Sequence, residues 1–347
     1  MTDARPVVPP ESRHFPDAPG DMRERLDGLA ALVAGQLQED WCGADPLTEV
    51  AAYAVSAPGK LLRPLLLLES AASVGGEVHR VLPAAAGTEG AHVASLIHDD
   101  IIDGDVWRRG FPAVHVRFGR DRAIVGGDAL IFSLFQSLGR CAALGVPASC
   151  IVDAMDVAAR AGADLCRGQL LEDDIRVRDD WRLSSYLAMI DGKTGALFGA
   201  SCRIGGILGG GSPAQADALS VFGAALGRAF QIRDDVLPYV SNAVTMGKSP
   251  ESDLANRRLT LPILVCRNAA EPATRARLEE LMNGPEQIAE RYAALVTLLH
   301  ESGAIDVAAE MGVRYAQRAL DALAPLEPSA GRTTLAYFAE ATVRRWS

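Results

Sequence analysis

From Met22 onward apolar residues recur at intervals of three and four among Ala, Leu, Arg and Glu, and alternating runs of β-branched residues are almost absent. That period draws one apolar stripe along a helix and leaves no two-residue strand rhythm, so the pattern predicts an all-α protein. Breaking signals fall at Pro58-Gly59, Gly75-Gly76, Gly110 to Pro112, Gly145 to Pro147, Gly209 to Pro213, Lys248 to Pro250 and Pro325 to Pro328. With weaker breaks between them, they divide the chain into about ten to thirteen helices. No composition shift or internal repeat marks a second domain, so residues 21–347 are expected to form one large helical domain. Residues 1–20 hold five prolines, Pro6, Pro9, Pro10, Pro16 and Pro19, and are expected to be a disordered tail.

Composition narrows the partners. Lys plus Arg is 34 against 44 Asp plus Glu, a net charge of −10, which argues against nucleic acid or an anionic membrane surface. The longest nearly apolar run, Gly195 to Gly211, is broken by Arg203 and falls short of the roughly 20 residues that a spanning helix needs. The six cysteines form no C-x-x-C pair and sit mostly among apolar residues, the pattern of reduced core thiols in a cytoplasmic protein.

The first chemistry-bearing stretch is Ser95-Leu96-Ile97-His98-Asp99-Asp100-Ile101-Ile102-Asp103, three carboxylates in an otherwise apolar helix. Asp99 and Asp103 lie one turn apart on one face, with Asp100 beside them. An acidic stripe is ordinarily a solvated face, but here the flanks are Leu and Ile. Like charges this close repel unless a cation bridges them, and an all-oxygen set favours a hard ion such as magnesium. A second pair, Asp234-Asp235, lies in Phe230 to Leu237. Facing the first cluster, it would complete a polynuclear magnesium site. Cations stand in unusual places: Lys60 and Arg63 in G-K-L-L-R-P, Arg108-Arg109-Gly110, Lys193-Thr194-Gly195, Lys248 after Gly247, and Arg258 before Leu259-Thr260-Leu261-Pro262. Together they suggest two anion sites, Arg offering a planar fork to phosphate and Lys a mobile point charge.

The ordered set G-K-x-x-R-P, a His-containing helix leading into D-D-x-x-D, R-R-G, Gly168-Gln169, K-T-G, F-Q-x-x-D-D and G-K with a later basic-x-T-L-P resembles the trans-isoprenyl diphosphate synthases of the polyprenyl synthetase family. The resemblance implies a helical bundle with a central active-site cavity. It also implies condensation of an allylic prenyl diphosphate with isopentenyl diphosphate, three magnesium ions and a homodimer. By it, Lys60, Arg63, His92 and Arg109 hold the diphosphate of isopentenyl diphosphate. Arg108, Lys193, Thr194, Gln231, Lys248 and Arg258 hold that of the allylic substrate. Asp99, Asp103 and Asp234 are the principal metal ligands, supported by Asp100 and Asp235, and Lys193 joins the five aspartates in catalysis.

Two departures stand out. The family's second cluster is usually D-D-x-x-D, whereas here its fifth position is Pro238, and the usual Lys before x-T-L-P is Arg258. A terpene cyclase on the same scaffold is disfavoured, because the positions four and eight after Asn242 are Met246 and Pro250, not the Ser and Glu of its metal triad. A regulatory subunit of a heteromeric synthase finds support only in Pro238. A di-iron bundle would use E-x-x-H twice, and beside Glu89 to His92 the only other instance, Glu11 to His14, lies in the Pro-rich tail. Ala94 and Ser95, small residues one turn before Asp99, are expected to leave a product channel open to twenty carbons or more, with Phe132 or Phe135 as deeper stops.

Overall fold

The computed structural model describes residues 17–57, 59–240, 251–284 and 287–344. Helices dominate them: α1 (Gly20–Asp40), α2 (Pro46–Ser56), α3 (Leu62–Ser73), α4 (Val78–Asp103), α5 (Val114–Phe118), α6 (Arg120–Arg140), α7 (Ala148–Arg178), α8 (Leu183–Ile190), α9 (Ala196–Leu208), α10 (Pro213–Val240), α11 (Ser252–Ala255), α12 (Leu261–Ala269), α13 (Pro272–Asn283), α14 (Ile288–Glu301), α15 (Ala304–Ala322) and α16 (Ala330–Val343). They exceed the expected number partly because α5 and α11, of five and four residues, are too short to display a period. Among the described residues the β structure is one antiparallel hairpin, β1 (Trp107–Arg108) with β2 (Phe111–Pro112). Local chemistry sets the helix ends where it is strong. Asp45 caps α2 by accepting from the backbone N–H groups of Leu47 and Thr48, and Pro46 follows at the first helical position.

The chain divides into two compact units. Of the described residues, the first comprises those in 17–158, 200–220 and 324–337, and the second those in 159–199, 221–323 and 338–344. Four of the five boundaries fall inside α7, α9, α10 and α16, and the fifth lies just after α15.

In the first unit α4 packs against α6, α3 and α1. Leu65, Leu66, Leu67 and Leu68 of α3 are fully buried, each contributing about 1.5–3 kcal/mol through its burial. Arg25 of α1 grips the buried Glu69 of α3 through two hydrogen bonds of 2.8 and 2.9 Å. A second patch of core joins Val50, Ala51 and Ala54 of α2 to Val93, Ala94 and Ile97 of α4, Val114 of α5, and Ala123 and Leu130 of α6.

The second unit is cored by Tyr186 and Ile190 of α8, Ile232, Val236 and Tyr239 of α10, and the apolar faces of α12 to α15. Pro238 lies within α10, and its carbonyl accepts from Tyr292 Oη at 2.5 Å, while the Tyr239 carbonyl lies 3.1 Å from His300 Nε2. No helix of the described residues is long and apolar enough to cross a membrane. Cys141, Cys202 and Cys266 are buried as expected of core thiols, whereas Cys42 and Cys166 are exposed.

Candidate active site

The last turns of α4 sort their carboxylates by helical phase. Asp99 and Asp103 retain access to solvent, whereas Asp100, about 100° round the helix from Asp99, is only 2% exposed. Asp100 Oδ1 accepts from Arg108 Nε at 2.8 Å and from Arg108 Nη2, which also reaches Asp105 Oδ2 at 3.3 Å. Asp100, expected as a supporting metal ligand, is the buried counter-ion of Arg108.

Arg108 and Arg109 are delivered by the hairpin that follows α4. Arg108 pairs with Phe111 across it, and the two turn residues, Arg109 and Gly110, both have positive φ, +52° and +81°. That is the twist of a tight type I′ turn, which an arginine adopts at a cost of about 1–3 kcal/mol. The turn sends the Arg109 guanidinium back to the approach to α3, where Nη1 donates to the Ala57 carbonyl at 3.4 Å. A β-carbon at residue 59 would lie 2.5 Å from that Nη1, so the glycine of the G-K element leaves the space the guanidinium occupies. Leu61, between Lys60 and Arg63, is also held at a positive φ of +48°. Lys60 is exposed and Arg63, in the first turn of α3, is half-buried. Burial, reinforced by Arg63, Arg109 and Arg108, holds His92 far below the usual imidazole range, so its ring is neutral. Its Nδ1 is buried and has no hydrogen-bond partner.

The second unit carries the other motifs. Between α8 and α9 the chain forms a π-helical turn, Asp191–Gly195, which presents Lys193 and Thr194. The Arg228 guanidinium grips the Asp191 carboxylate at its start through both oxygens. Gly168 of α7 abuts this turn backbone to backbone. A β-carbon there would collide with the Lys193 nitrogen, and one at Gly192 would lie 2.8 Å from Gly168 Cα. Lys193 Nζ lies 2.5 Å from Glu172 Oε2, and Arg258 Nε lies 3.9 Å from Glu172 Oε1. Two of the four cations assigned to the allylic diphosphate thus share one carboxylate, while Arg258 Nη1 also faces Asp253 at 3.6 Å.

Thr194 Oγ1 donates to Gln231 Oε1 at 2.8 Å, and Gln231 Nε2 donates to Asp235 Oδ1 at 3.0 Å. Asp235 Oδ2 accepts from Tyr186 Oη at 2.7 Å and from the Leu261 backbone N–H at 2.9 Å. Burial pushes the Asp235 carboxyl up to about 7 against the pull of these donors. Asp235 is therefore the hub joining the K-T turn, α8 and the first residue of α12. Asp234, its neighbour in sequence, is exposed.

The remaining expectations divide. Lys248 lies outside the described residues. Phe132 is 70% exposed on α6, and Phe135 is half-buried. Ala94 has no exposed surface and packs in the core with α2 and α6, which corrects its place in a channel wall. Ser95 keeps partial access while donating to the His92 carbonyl at 2.7 Å. Glu172, Tyr186 and the Asp191–Arg228 pair escaped the sequence reading. Only Glu172, three residues after Gln169 on one helix face, carried a spacing that would have drawn notice. A cavity of about 790 Å³ in the second unit, lined in part by Trp181, Arg182 and Arg267, contains none of the motif residues.

The donor set fits magnesium. Among the described residues no three His, Cys, Asp or Glu side chains converge into a cage. Asp99, Asp103 and Asp234 each keep access to solvent, as suits an ion that takes one or two carboxylates and completes its shell with water and phosphate oxygens.

The polyprenyl synthetase family pattern matches residues 44–299. Geranylgeranyl diphosphate synthase of Methanosarcina mazei is 35% identical over 301 residues, covering 87% of this chain and 90% of its own. The crystal structure of geranylgeranyl pyrophosphate synthetase from Pyrococcus horikoshii superposes with a TM-score of 0.86 at 33% identity, covering 94% of this chain and 98% of its own. A polyprenyl synthase from Caulobacter crescentus, solved with calcium and isoprenyl diphosphate, superposes at 0.81 and 28% identity, covering 98% of this chain and all of its own. With the motifs of both units falling inside the matched span, this chain belongs to the polyprenyl synthetase family.

Proposed function

We propose that the protein joins an allylic prenyl diphosphate to isopentenyl diphosphate, releasing diphosphate and giving a trans-prenyl diphosphate of twenty carbons or more. The observation that carries this reading is the arrangement on α4: Asp99 and Asp103 lie one turn apart with access to solvent, and Asp100 beside them pairs with Arg108 of a basic hairpin. Asp99, Asp103 and Asp234 are read as ligands of magnesium, three ions by family resemblance. The similar Caulobacter protein, solved with calcium and isoprenyl diphosphate, supports a divalent ion alongside a diphosphate.

When bound, magnesium supplies charge neutralisation for the allylic diphosphate as its C–O bond breaks. Lys193 and Arg258 exchange Glu172 for diphosphate oxygens, and Thr194, oriented by Gln231, adds a hydroxyl donor. Lys60, Arg63 and Arg109 hold the diphosphate of isopentenyl diphosphate, and neutral His92 adds a hydrogen bond without adding charge. Apolar walls exclude water from the allylic cation, the isopentenyl double bond attacks it, and proton loss to the departed diphosphate completes the five-carbon extension. A homodimer is supported by the apolar outer face of α6, where Ile124, Val125, Ile131 and Phe132 are exposed. The reduced-thiol pattern supports a cytoplasmic location.

The test is turnover of the purified chain with magnesium, an allylic diphosphate and isopentenyl diphosphate, with products identified by mass spectrometry. Asp99→Ala or Asp103→Ala is expected to lower turnover by at least about 10²-fold, the scale for removing a preorganised charge stabiliser. Near-normal rates in both variants would overturn the assignment.

A further inference from the structure

The five residues of the π-helical turn, Asp191-Gly192-Lys193-Thr194-Gly195, include two glycines and have no intrinsic preference for its wide geometry. Contacts from outside the turn hold it instead, and two of them come from one face of α10. Arg228 forks both oxygens of Asp191, the first residue of the turn, and Gln231 Oε1 accepts from Thr194 Oγ1, the fourth, at 2.8 Å. Arg228 and Gln231 stand three residues apart, so a single turn of α10 grips both ends of the segment that carries Lys193. The arginine is itself braced, its guanidinium lying 5.1 Å from the centre of the Tyr315 ring of α15. Against the same turn lies the Gly168 backbone of α7, and Glu172, four residues on, accepts from Lys193 Nζ at 2.5 Å.

We propose that Asp191 and Arg228 are positioning residues for the allylic diphosphate subsite: their ion pair keeps the turn in its π-helical form and so sets where Lys193 and Thr194 present their donors. A regular α-helix through the same five residues would also join α8 to α9. Its tighter winding would rotate Lys193 relative to Glu172 and Arg258 and draw Thr194 away from Gln231. Both members of the pair keep access to solvent, 38% of the Asp191 side chain and 25% of Arg228, so the pair is weakly placed to serve stability alone. The inference rests on the reading that Lys193 and Thr194 hold the allylic diphosphate.

A carboxylate two residues from Lys193 allows a test by sign. If Asp191 only adds negative charge, it repels a diphosphate, and its neutralisation tightens binding, the more so with Arg228 released. If it positions the turn, its neutralisation loosens binding. Asp191→Asn and Arg228→Gln are each expected to raise KM for the allylic diphosphate about tenfold. KM for isopentenyl diphosphate, whose assigned donors Lys60, Arg63 and Arg109 belong to the first unit, should stay within about twofold. The double variant should be no worse than the poorer single one, because either change already breaks the pair. Arg228→Lys, which keeps the charge without the fork, is expected to raise the allylic KM by a smaller factor, and it serves alone if the others do not fold. An allylic KM that is unchanged or lowered in folded Asp191→Asn, or unchanged in Arg228→Lys where only that variant folds, would overturn the proposal. Both KM values rising together, or failure of all three single variants to fold, would mark the pair as structural and overturn it too. Lys193→Gln separates the two levels of inference. If it leaves the allylic KM unchanged, the subsite assignment falls and the proposal with it. If it raises that KM while Asp191→Asn does not, the subsite stands and the positioning role alone falls.

Discussion

Asp235→Asn separates a structural carboxylate from a metal-binding one. Asp235 accepts three hydrogen bonds, from Tyr186 Oη at 2.7 Å, the Leu261 N–H at 2.9 Å and Gln231 Nε2 at 3.0 Å. Asparagine keeps one oxygen for Tyr186 and Leu261 and turns its amide nitrogen toward Gln231. The Gln231 amide then flips, presenting Oε1 to Asn and Nε2 to the Thr194 hydroxyl, which accepts as readily as it donates. The network re-forms except at the Thr194 hydroxyl proton, which gives up Gln231 Oε1 as its acceptor. Weaker neutral hydrogen bonds are offset by relief from burying a charge, so the net destabilisation is expected to stay within about 1–2 kcal/mol. Asp235→Leu strands three donors at about 1–3 kcal/mol each, a loss of at least about 3 kcal/mol. The assay pairs thermal melting with the magnesium dependence of turnover. Asp235→Asn should retain a half-maximal magnesium concentration within about threefold of the parent, whereas Asp234→Asn should raise it at least about tenfold, a coordination difference of some 1.4 kcal/mol. If Asp235→Asn raises the magnesium requirement as much as Asp234→Asn does, Asp235 binds metal and its role as a structural hub is wrong.

Gly59→Ala places a β-carbon 2.5 Å from Arg109 Nη1, so the guanidinium must retreat by about 1 Å to reach ordinary contact. The displaced group is the free end of a side chain, so melting should shift little while KM for isopentenyl diphosphate rises about tenfold, read by steady-state kinetics. Ser95→Phe, at a position that keeps access to solvent, should fold and shift the main product at least one isoprene unit shorter. Ala94→Phe, in a filled core, should instead destabilise the protein by about 1–3 kcal/mol, and product analysis alongside melting curves checks both.

Much of this protein was legible before folding. The apolar period alone announced helices, because burial of one stripe per helix is a local pattern. The motifs were legible as well, since magnesium and diphosphate chemistry demands particular charged side chains in recognisable order. Asp99 and Asp103 could be paired from their spacing, because four residues on a helix return to the same face. What spacing withheld was the fate of adjacent residues. Asp100 and Asp235 look interchangeable with Asp99 and Asp234 in the sequence, yet a rotation of about 100° per residue turns them inward, where only distant partners decide their role. Those partners, Arg108 for the one and Tyr186, Gln231 and the Leu261 N–H for the other, are supplied by separate elements. The same holds for the positive φ of Arg109 and the π-helical turn at Lys193, strained or irregular backbone that no propensity favours and that tertiary packing imposes. It holds too for the small residues Ala94 and Ser95: the sequence records that both are small, but only the packing of α4 against α2 and α6 decides that one is core and the other keeps an open face, because burial belongs to neighbours that the chain brings together from elsewhere.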